Sequence, residues 1–393
     1  MSATVVMANY VMAETTSLES SFSGVSFPAI CASFITIGAT ASFFGPLVNA
    51  TAARFHESIA VAGISLSVYF VGAFIGVLGG WWLVRNYNGR RTLVLGLALL
   101  AGGGALVTIA TTLRGWPLYC AAVALMGAGF GVLDFGINSI LARSAESQRA
   151  HRMSLANSFW GVGSILGPLL IVLVRPKNFE LLFAIVATLA VLLTPLVKGV
   201  SAPPLRSVPS TLQRPRWALA TFCVALISYV AVESAASGWI ATDIHSRGFS
   251  QSVASLSTAG FWLGLTIGRA LGGRLHRIMS AQQLVEGGLG LSALCALAAT
   301  QRPLAVGAFC LLGAALASVF VFGMLWYQEI VGDDNNGISI IIIWAMLGGA
   351  IGPAVTSWCV SAAGSGVIPW AIAGFSVLTL GLFFTAHRFA RLR

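Results

Sequence analysis

The chain has 393 residues, of which 57% are hydrophobic and only 9% charged, and its formal net charge is +10. Typical globular proteins carry roughly 25% charged residues, and no soluble core could bury this much apolar surface. A bilayer accepts apolar side chains on the outside of helices, so the composition excludes an ordinary soluble protein. The basic residues lie in short loops between apolar runs, which indicates membrane topology rather than nucleic-acid binding.

Twelve apolar runs are long enough to cross a membrane, because about 20 residues span about 30 Å of hydrocarbon. We expect helices at 26–50, 59–84, 92–112, 117–142, 155–174, 179–197, 217–242, 253–273, 284–300, 304–327, 338–362 and 369–387. The sequence therefore predicts an all-α membrane protein whose twelve transmembrane helices form two pseudo-symmetric six-helix bundles.

A polar, proline-rich connector separates the sixth and seventh runs, and this composition is typical of a linker. We divide the chain into an N-terminal tail (1–25), a six-helix bundle (26–197), a linker (198–216) and a second six-helix bundle (217–393). The tail contains no Lys or Arg and therefore does not resemble a signal peptide.

The distribution of Lys and Arg predicts the orientation of the chain. If the N-terminus is cytoplasmic, fifteen basic residues lie on the inner side and six on the outer side, and Arg269 lies within a helix. The positive-inside rule then places both termini in the cytoplasm. We expect a multi-pass protein of the cell (inner) membrane.

Two glycine patterns occur once in each half. The second and eighth runs share glycine at every fourth residue, at Gly72–Gly80 and Gly264–Gly272, 192 residues apart. The fifth and eleventh runs share Gly-x-x-x-Gly-Pro, at Gly163–Pro168 and Gly348–Pro353, 185 residues apart. Such glycines let helices approach closely, and duplicated halves suit a carrier that rocks around a central site.

Asp134 and Glu233 are acids well inside predicted spans, where a charge costs about 2.5–3.5 kcal/mol on insertion scales. Asp134 shares a helix face with Asn138, and we predict that it binds the coupling proton while Asn138 contacts substrate. Glu233, with Tyr229 on the same face, is predicted to bind substrate or a second proton. A structural role, as a hydrogen-bonded residue or a bridge between helices, is the alternative for both acids.

Arg269 is the one basic residue inside a span. It can extend to the membrane surface or bond a neighbouring helix end, or it can pair with substrate or a carboxylate. Aromatic side chains can line the central cavity and stack on a flat or sugar-like substrate, or they can face lipid. The candidates are Trp160, Trp239, Trp262 and Trp344.

The sequence lacks the residue patterns that metal sites and nucleotide-driven pumps require. The six cysteines lie in apolar runs without metal-ligand spacing, and the histidines fall in loops or at span ends. The sequence has no Walker-type nucleotide loop. We therefore expect no metal, no cofactor and no enzymatic activity.

The loop after the second span, Arg85–Arg91, ends in Gly-Arg-Arg and resembles the loop signature of the major facilitator superfamily. The resemblance covers nearly the whole chain and implies a gating role for Arg85, Gly89, Arg90 and Arg91. We predict a gating role for Arg269 as well. The acid of that signature is replaced by asparagine here, so the gating lock is weaker or uses Glu329, Asp333 or Asp334, three acids that can equally form a solvated loop.

Within that superfamily the fourth span resembles the fucose permease type of proton-coupled sugar carriers, with Asp134 followed four residues later by Asn138. The fifth span, Leu155–Gly163, is similar to the same group and adds Asn157 and Trp160 as substrate-binding candidates. The resemblance implies a secondary transporter that moves a small polar, sugar-like molecule with protons through Asp134.

The alternative function is a proton-driven exporter of drugs or metabolites, because Gly167-Pro168 matches the core of an exporter motif. A receptor on a carrier scaffold is a further possibility. In each case we expect a monomer whose partners are a small-molecule substrate and lipid, with no nucleic acid, and a coupling ion that is H⁺.

Overall fold

The computed structural model describes residues 21–22, 26–204, 216–332 and 334–391. Its helices are α1 (Ser26–Phe55), α2 (Ile59–Asn86), α3 (Gly89–Leu113), α4 (Trp116–Leu141), α5 (Glu146–Val174), α6 (Glu180–Leu196), α7 (Arg216–Ser246), α8 (Gln251–Leu275), α9 (Ala281–Ala298), α10 (Ala305–Leu316), α11 (Val319–Val331), α12 (Asn335–Ala363) and α13 (Ile368–Arg391). Helices α10 and α11 together make one span, so the described residues form the twelve predicted spans.

Two helices differ in extent from the prediction. Helix α5 begins at Glu146 rather than at 155, because a polar first segment continues the helix beyond its apolar run. The tenth span is interrupted between Leu316 and Val319, where the Ser318 hydroxyl donates to the Leu284 carbonyl oxygen of α9 at 3.1 Å. An apolar pattern alone shows neither feature.

Ten of the spans in the described residues are long and apolar enough to cross a membrane by length and composition. The other two, α8 and α9, contain many hydroxyl, amide and charged side chains, which lower their mean hydropathy. Helix α8 is packed against α5 of the other half as well as against α10, and three of its hydroxyl residues, Ser255, Ser257 and Thr258, are buried.

The internal repeat is present in the packing as well as in the sequence. A Cβ added to Gly72 would lie 2.1 Å from the Ala124 carbonyl oxygen of α4, and one added to Gly264 would lie 2.3 Å from the Cys310 carbonyl oxygen of α10. Because no side chain fits at these positions, glycine allows α2 and α8 to approach their partner helices. The two bundles thus use the same device at equivalent positions.

The two bundles contact each other toward the end that is remote from both termini. The Gln251 amide donates to the Pro46 carbonyl oxygen at 2.9 Å, and the Ser357 hydroxyl donates to the Ala60 carbonyl oxygen at 2.6 Å. We call this the closed end. Near mid-helix, Trp160 of α5 contacts Trp262 of α8, with ring centroids 5.5 Å apart.

At the opposite end, which we call the open end, the chain start and the linker are tied to the first bundle. Strand β1 (Ser21–Phe22) pairs antiparallel with β2 (Val200–Ser201), and the Gly89 amide donates to the Ala202 carbonyl oxygen at 2.8 Å. The rest of the predicted tail, residues 1–20 and 23–25, and linker residues 205–215 lie outside the described residues. The predicted domain boundaries therefore remain predictions.

Candidate functional site

Three of the predicted site residues form a hydrogen-bonded chain in the first bundle. The Asn138 amide lies 3.4 Å from Asp134 Oδ1 and also donates to the Asp134 carbonyl oxygen at 3.0 Å. The Asn157 amide of α5 donates to Asn138 Oδ1 at 3.3 Å. Asp134 and Asn138 are half-buried and Asn157 is exposed, so the chain leads from the interior of α4 to an accessible face of α5.

Three other predicted residues meet in the second bundle. Glu233 Oε2 accepts a hydrogen bond from the Tyr229 hydroxyl and lies 3.5 Å from Arg269 Nη2 of α8. The Glu233 side chain is 16% exposed and that of Arg269 is 34% exposed. The sequence left open whether Arg269 points to the membrane surface or to a carboxylate, and in the structure it faces Glu233.

Each of the two clusters lies near a contact between the bundles. Asn157 is one turn from Gly161, whose added Cβ would lie 3.0 Å from the Thr266 hydroxyl, and Arg269 follows Thr266 by three residues. Glu233 likewise lies one turn before Ser237, which contacts Gly45 of α1. Asn157 and Glu233 thus each lie one turn from a contact between the bundles, on the open-end side of that contact, and they belong to opposite bundles.

The four tryptophans occupy different environments. Trp160 is half-buried and in edge contact with Trp262, which is 5% exposed, where α5 meets α8. Trp239 is fully buried against Gly63 at the closed end. Trp344 is 47% exposed, and its ring centroid lies 6.1 Å from that of Phe74 in α2. The first two lie beside the polar clusters, whereas Trp239 lies deeper and Trp344 is at the α2–α12 seam.

The α2–α3 loop is held by local contacts. The Arg85 guanidinium lies 4.2 Å from the Trp81 ring centroid, and that of Arg91 lies 5.6 Å from the Tyr87 ring. Arg90 is exposed, and Gly89 is buried against Ala202 and Ile140. Within the described part of the chain, no hydrogen bond or ion pair joins this loop to the second bundle.

Of the three acids considered as a replacement lock, Asp334 is a structural cap. It is 1% exposed, accepts the Tyr327 hydroxyl at 2.8 Å and caps α12 through the Gly337 amide at 2.9 Å. A buried carboxylate at a helix start satisfies free backbone N–H groups. Asp333 lies outside the described residues, and Glu329 is in α11.

Two residues that join the bundles were not among the site residues predicted from the sequence. Gln251 and Ser357 form the inter-bundle hydrogen bonds already described. Both are ordinary polar residues at a helix start or helix face, and no spacing distinguishes them from the many hydroxyl and amide residues of the chain. Among the described residues, no group of three or more His, Cys, Asp or Glu could hold a metal ion.

A sequence model described as "Major Facilitator Superfamily" matches residues 29–232, which is more than half of the chain. The chain belongs to the Major Facilitator Superfamily. Its fold and family are those of transporters, and its helices make it a multi-pass membrane protein.

Solved superfamily structures share this fold along nearly the whole chain. A point variant of the E. coli fucose:proton symporter FucP is 19% identical with a TM-score of 0.64, covering 93% of this chain and 98% of that one. A D-xylose–proton symporter is 15% identical with a TM-score of 0.72, covering 91% and 96%. A point variant of the nucleoside transporter NupG is 13% identical with a TM-score of 0.75, covering 92% and 100%.

One curated relative also matches in sequence. The glucose/mannose transporter GlcP of Bacillus subtilis (strain 168) is 26% identical over 138 residues, which are 35% of this chain. The match covers only 33% of that transporter's own length. The predicted resemblance to the fucose permease type of superfamily member is confirmed at the level of fold.

Proposed function

We propose that this superfamily member is a secondary active transporter that moves a small polar, sugar-like molecule by alternating access, coupled to protons through Asp134. One observation carries the proposal: each bundle holds a polar cluster within about one turn of a contact between the bundles. A substrate held between the clusters would contact both bundles, so its binding would be linked to their relative movement.

The two acids differ in the charge that surrounds them, which is why Asp134 is assigned the proton. In the described part of the chain Asp134 is hydrogen-bonded only to Asn138 and contacts no basic residue. Glu233 has Arg269 and Tyr229 beside it. A carboxylate without a basic partner inside a membrane-spanning helix is costly as an anion, so we assign the coupling proton to Asp134.

The chemistry of the site favours an uncharged polar substrate. With Asp134 protonated and Glu233 paired to Arg269, the clusters carry no net charge. They offer amide and guanidinium donors, carboxylate acceptors and the nearby rings of Trp160 and Trp262, a combination that suits a hydroxyl-rich molecule with an apolar face. The names of the fucose, xylose and glucose/mannose relatives are consistent with this class.

The predicted orientation makes this an inward-facing conformation. If both termini are cytoplasmic, as the basic residues predict, the open end faces the cytoplasm and the closed end faces outward. An importer of the inner membrane would release its substrate from this state. The Gly167-Pro168 pair does not favour export, because Gly167 packs on Ala39 of α1 just as Gly352 packs on Ala231 of α7.

The test is a substrate screen in proteoliposomes with an imposed pH gradient, using pentoses, hexoses, 6-deoxyhexoses and nucleosides. We expect one class to accumulate when the lumen is alkaline. Accumulation of that class in vesicles of the opposite gradient only would indicate export. Equal uptake with and without the gradient would contradict proton coupling.

A further inference from the structure

At the closed end, the side chain of Trp239 in α7 packs directly on Gly63 of α2. A Cβ added to Gly63 would lie 2.3 Å from the Trp239 indole. Trp239 is 0% exposed, and its indole N–H has no hydrogen-bond partner among the residues that the structure describes. The ring thus fills a space that exists only because residue 63 lacks a side chain, at the cost of an unsatisfied buried donor.

A second glycine contact lies beside the first. A Cβ added to Gly45 of α1 would lie 2.4 Å from the Ser237 carbonyl oxygen and 3.0 Å from Gly238 Cα. Here the obstacle is main chain on both sides, which cannot rotate away as a flexible side chain can. Helices α1 and α7 therefore approach at this point through glycine on both partners.

The polar contacts that accompany these glycines are uncharged. Gln251 donates to the Pro46 carbonyl oxygen next to Gly45, and Ser357 donates to the Ala60 carbonyl oxygen one turn before Gly63. Within the described residues, each ion pair lies inside one bundle: Arg54 with Glu180, Arg247 with Asp243, and Arg269 with Glu233. The two bundles are therefore held together at this end by close packing and uncharged hydrogen bonds rather than by ion pairs.

We infer that Gly45, Gly63 and Trp239 form the gate at the closed end. The Trp239 ring fills the space at Gly63, and Gly45 allows α1 to approach α7. This inference rests on the proposed alternating-access function, because that mechanism requires the closed end to separate. Trp239 is then a gating residue rather than a substrate ligand. Any side chain at position 45 or 63 holds the gate open.

The glycine variants are expected to fold, because the added methyl group meets its obstacle only across the interface between the bundles. In the separated arrangement it faces open space. A contrasting case is Gly72, whose added Cβ would lie 2.1 Å from the Ala124 carbonyl oxygen inside one bundle. Gly72→Ala should lower stability without opening the gate, which separates the two effects.

The experiment measures the distance between spin labels at Ala53→Cys and Ala362→Cys, exposed positions near the closed end of α1 and α12, in a cysteine-free background. Gly63→Ala and Gly45→Ala are compared with Gly79→Ala, a glycine of α2 with nothing within 4 Å of its added Cβ. We expect a longer distance component in the first two variants, with the open-to-closed ratio raised about tenfold or more by the forced contact. We expect no change in Gly79→Ala.

A second variant also replaces the large Trp239 ring, which is the obstacle to a methyl group at position 63. In Gly63→Ala/Trp239→Leu the smaller side chain leaves room for the methyl group, so the short distance should return. Unchanged distances in both folded glycine variants, or no restoration in the double variant, would overturn the gate. This distance measurement does not depend on transport. If the glycine variants show the longer distance but the parent protein takes up no substrate in the vesicle screen, the proposed function is refuted and the gate is not.

Discussion

Replacing Asp134 by asparagine should abolish uphill transport while substrate binding persists. Asparagine has the size of a protonated aspartic acid, and its Oδ1 can still accept the Asn138 amide, which lies 3.4 Å from Asp134 Oδ1. The variant therefore preserves the hydrogen-bonded chain to Asn157 but cannot release a proton. It corresponds to a carrier fixed in its protonated form.

The magnitude follows from the energy of one proton. One charge that crosses 100 mV supplies about 2.3 kcal/mol, and tenfold accumulation requires about 1.4 kcal/mol. One proton per substrate thus supports roughly fortyfold accumulation before any pH gradient is added. In the Asp134→Asn protein the accumulation ratio should fall to about one, because no driving ion moves.

The assay is uptake into vesicles under an imposed potential, with binding measured on the same preparations. Glu286→Gln is a suitable control, because this acid of α9 accepts the Gln282 amide at 2.8 Å and lies outside both clusters. The control should accumulate substrate like the parent. Undiminished accumulation by Asp134→Asn would refute the assignment of the proton to this residue.

Two further variants test other parts of the account. Glu233→Gln should weaken substrate binding about tenfold or more, since a hydrogen bond to a charged group contributes about 1.5–3 kcal/mol; equal affinity in a binding titration would remove Glu233 from the site. Asp334→Ala should lower the free energy of unfolding by about 2 kcal/mol or more, because it removes a helix cap and leaves the buried Tyr327 hydroxyl without this acceptor,. Thermal unfolding in detergent measures this loss, and Asp334→Asn, which retains a capping group, should lose less.

Much of the fold was predictable because a bilayer imposes simple rules. Span length, loop charge and glycine spacing depend on local sequence, and the glycine repeat is reproduced in the contacts of Gly72 and Gly264. The start of α5 at Glu146 was missed because the first turns of that helix are polar. A helix that continues past its apolar run leaves no hydropathy signal.

The site was predictable only where its members are neighbours on one helix. Asp134 with Asn138, and Tyr229 with Glu233, are four residues apart and share a face,. The approach of Arg269 to Glu233 depends on how α8 packs on α7, which sequence spacing does not specify. The same limit applies to Trp239, because an aromatic residue that faces the space between the bundles can line a cavity or close it.

The most direct test of proton-coupled transport is to follow protons and substrate together. Substrate from the class found in the screen is added to lightly buffered proteoliposomes without an imposed gradient, and the external pH is recorded beside substrate uptake. We predict alkalinisation of the medium that tracks uptake in the parent protein and is absent in Asp134→Asn. Substrate entry by the parent protein with no change in external pH would contradict the account.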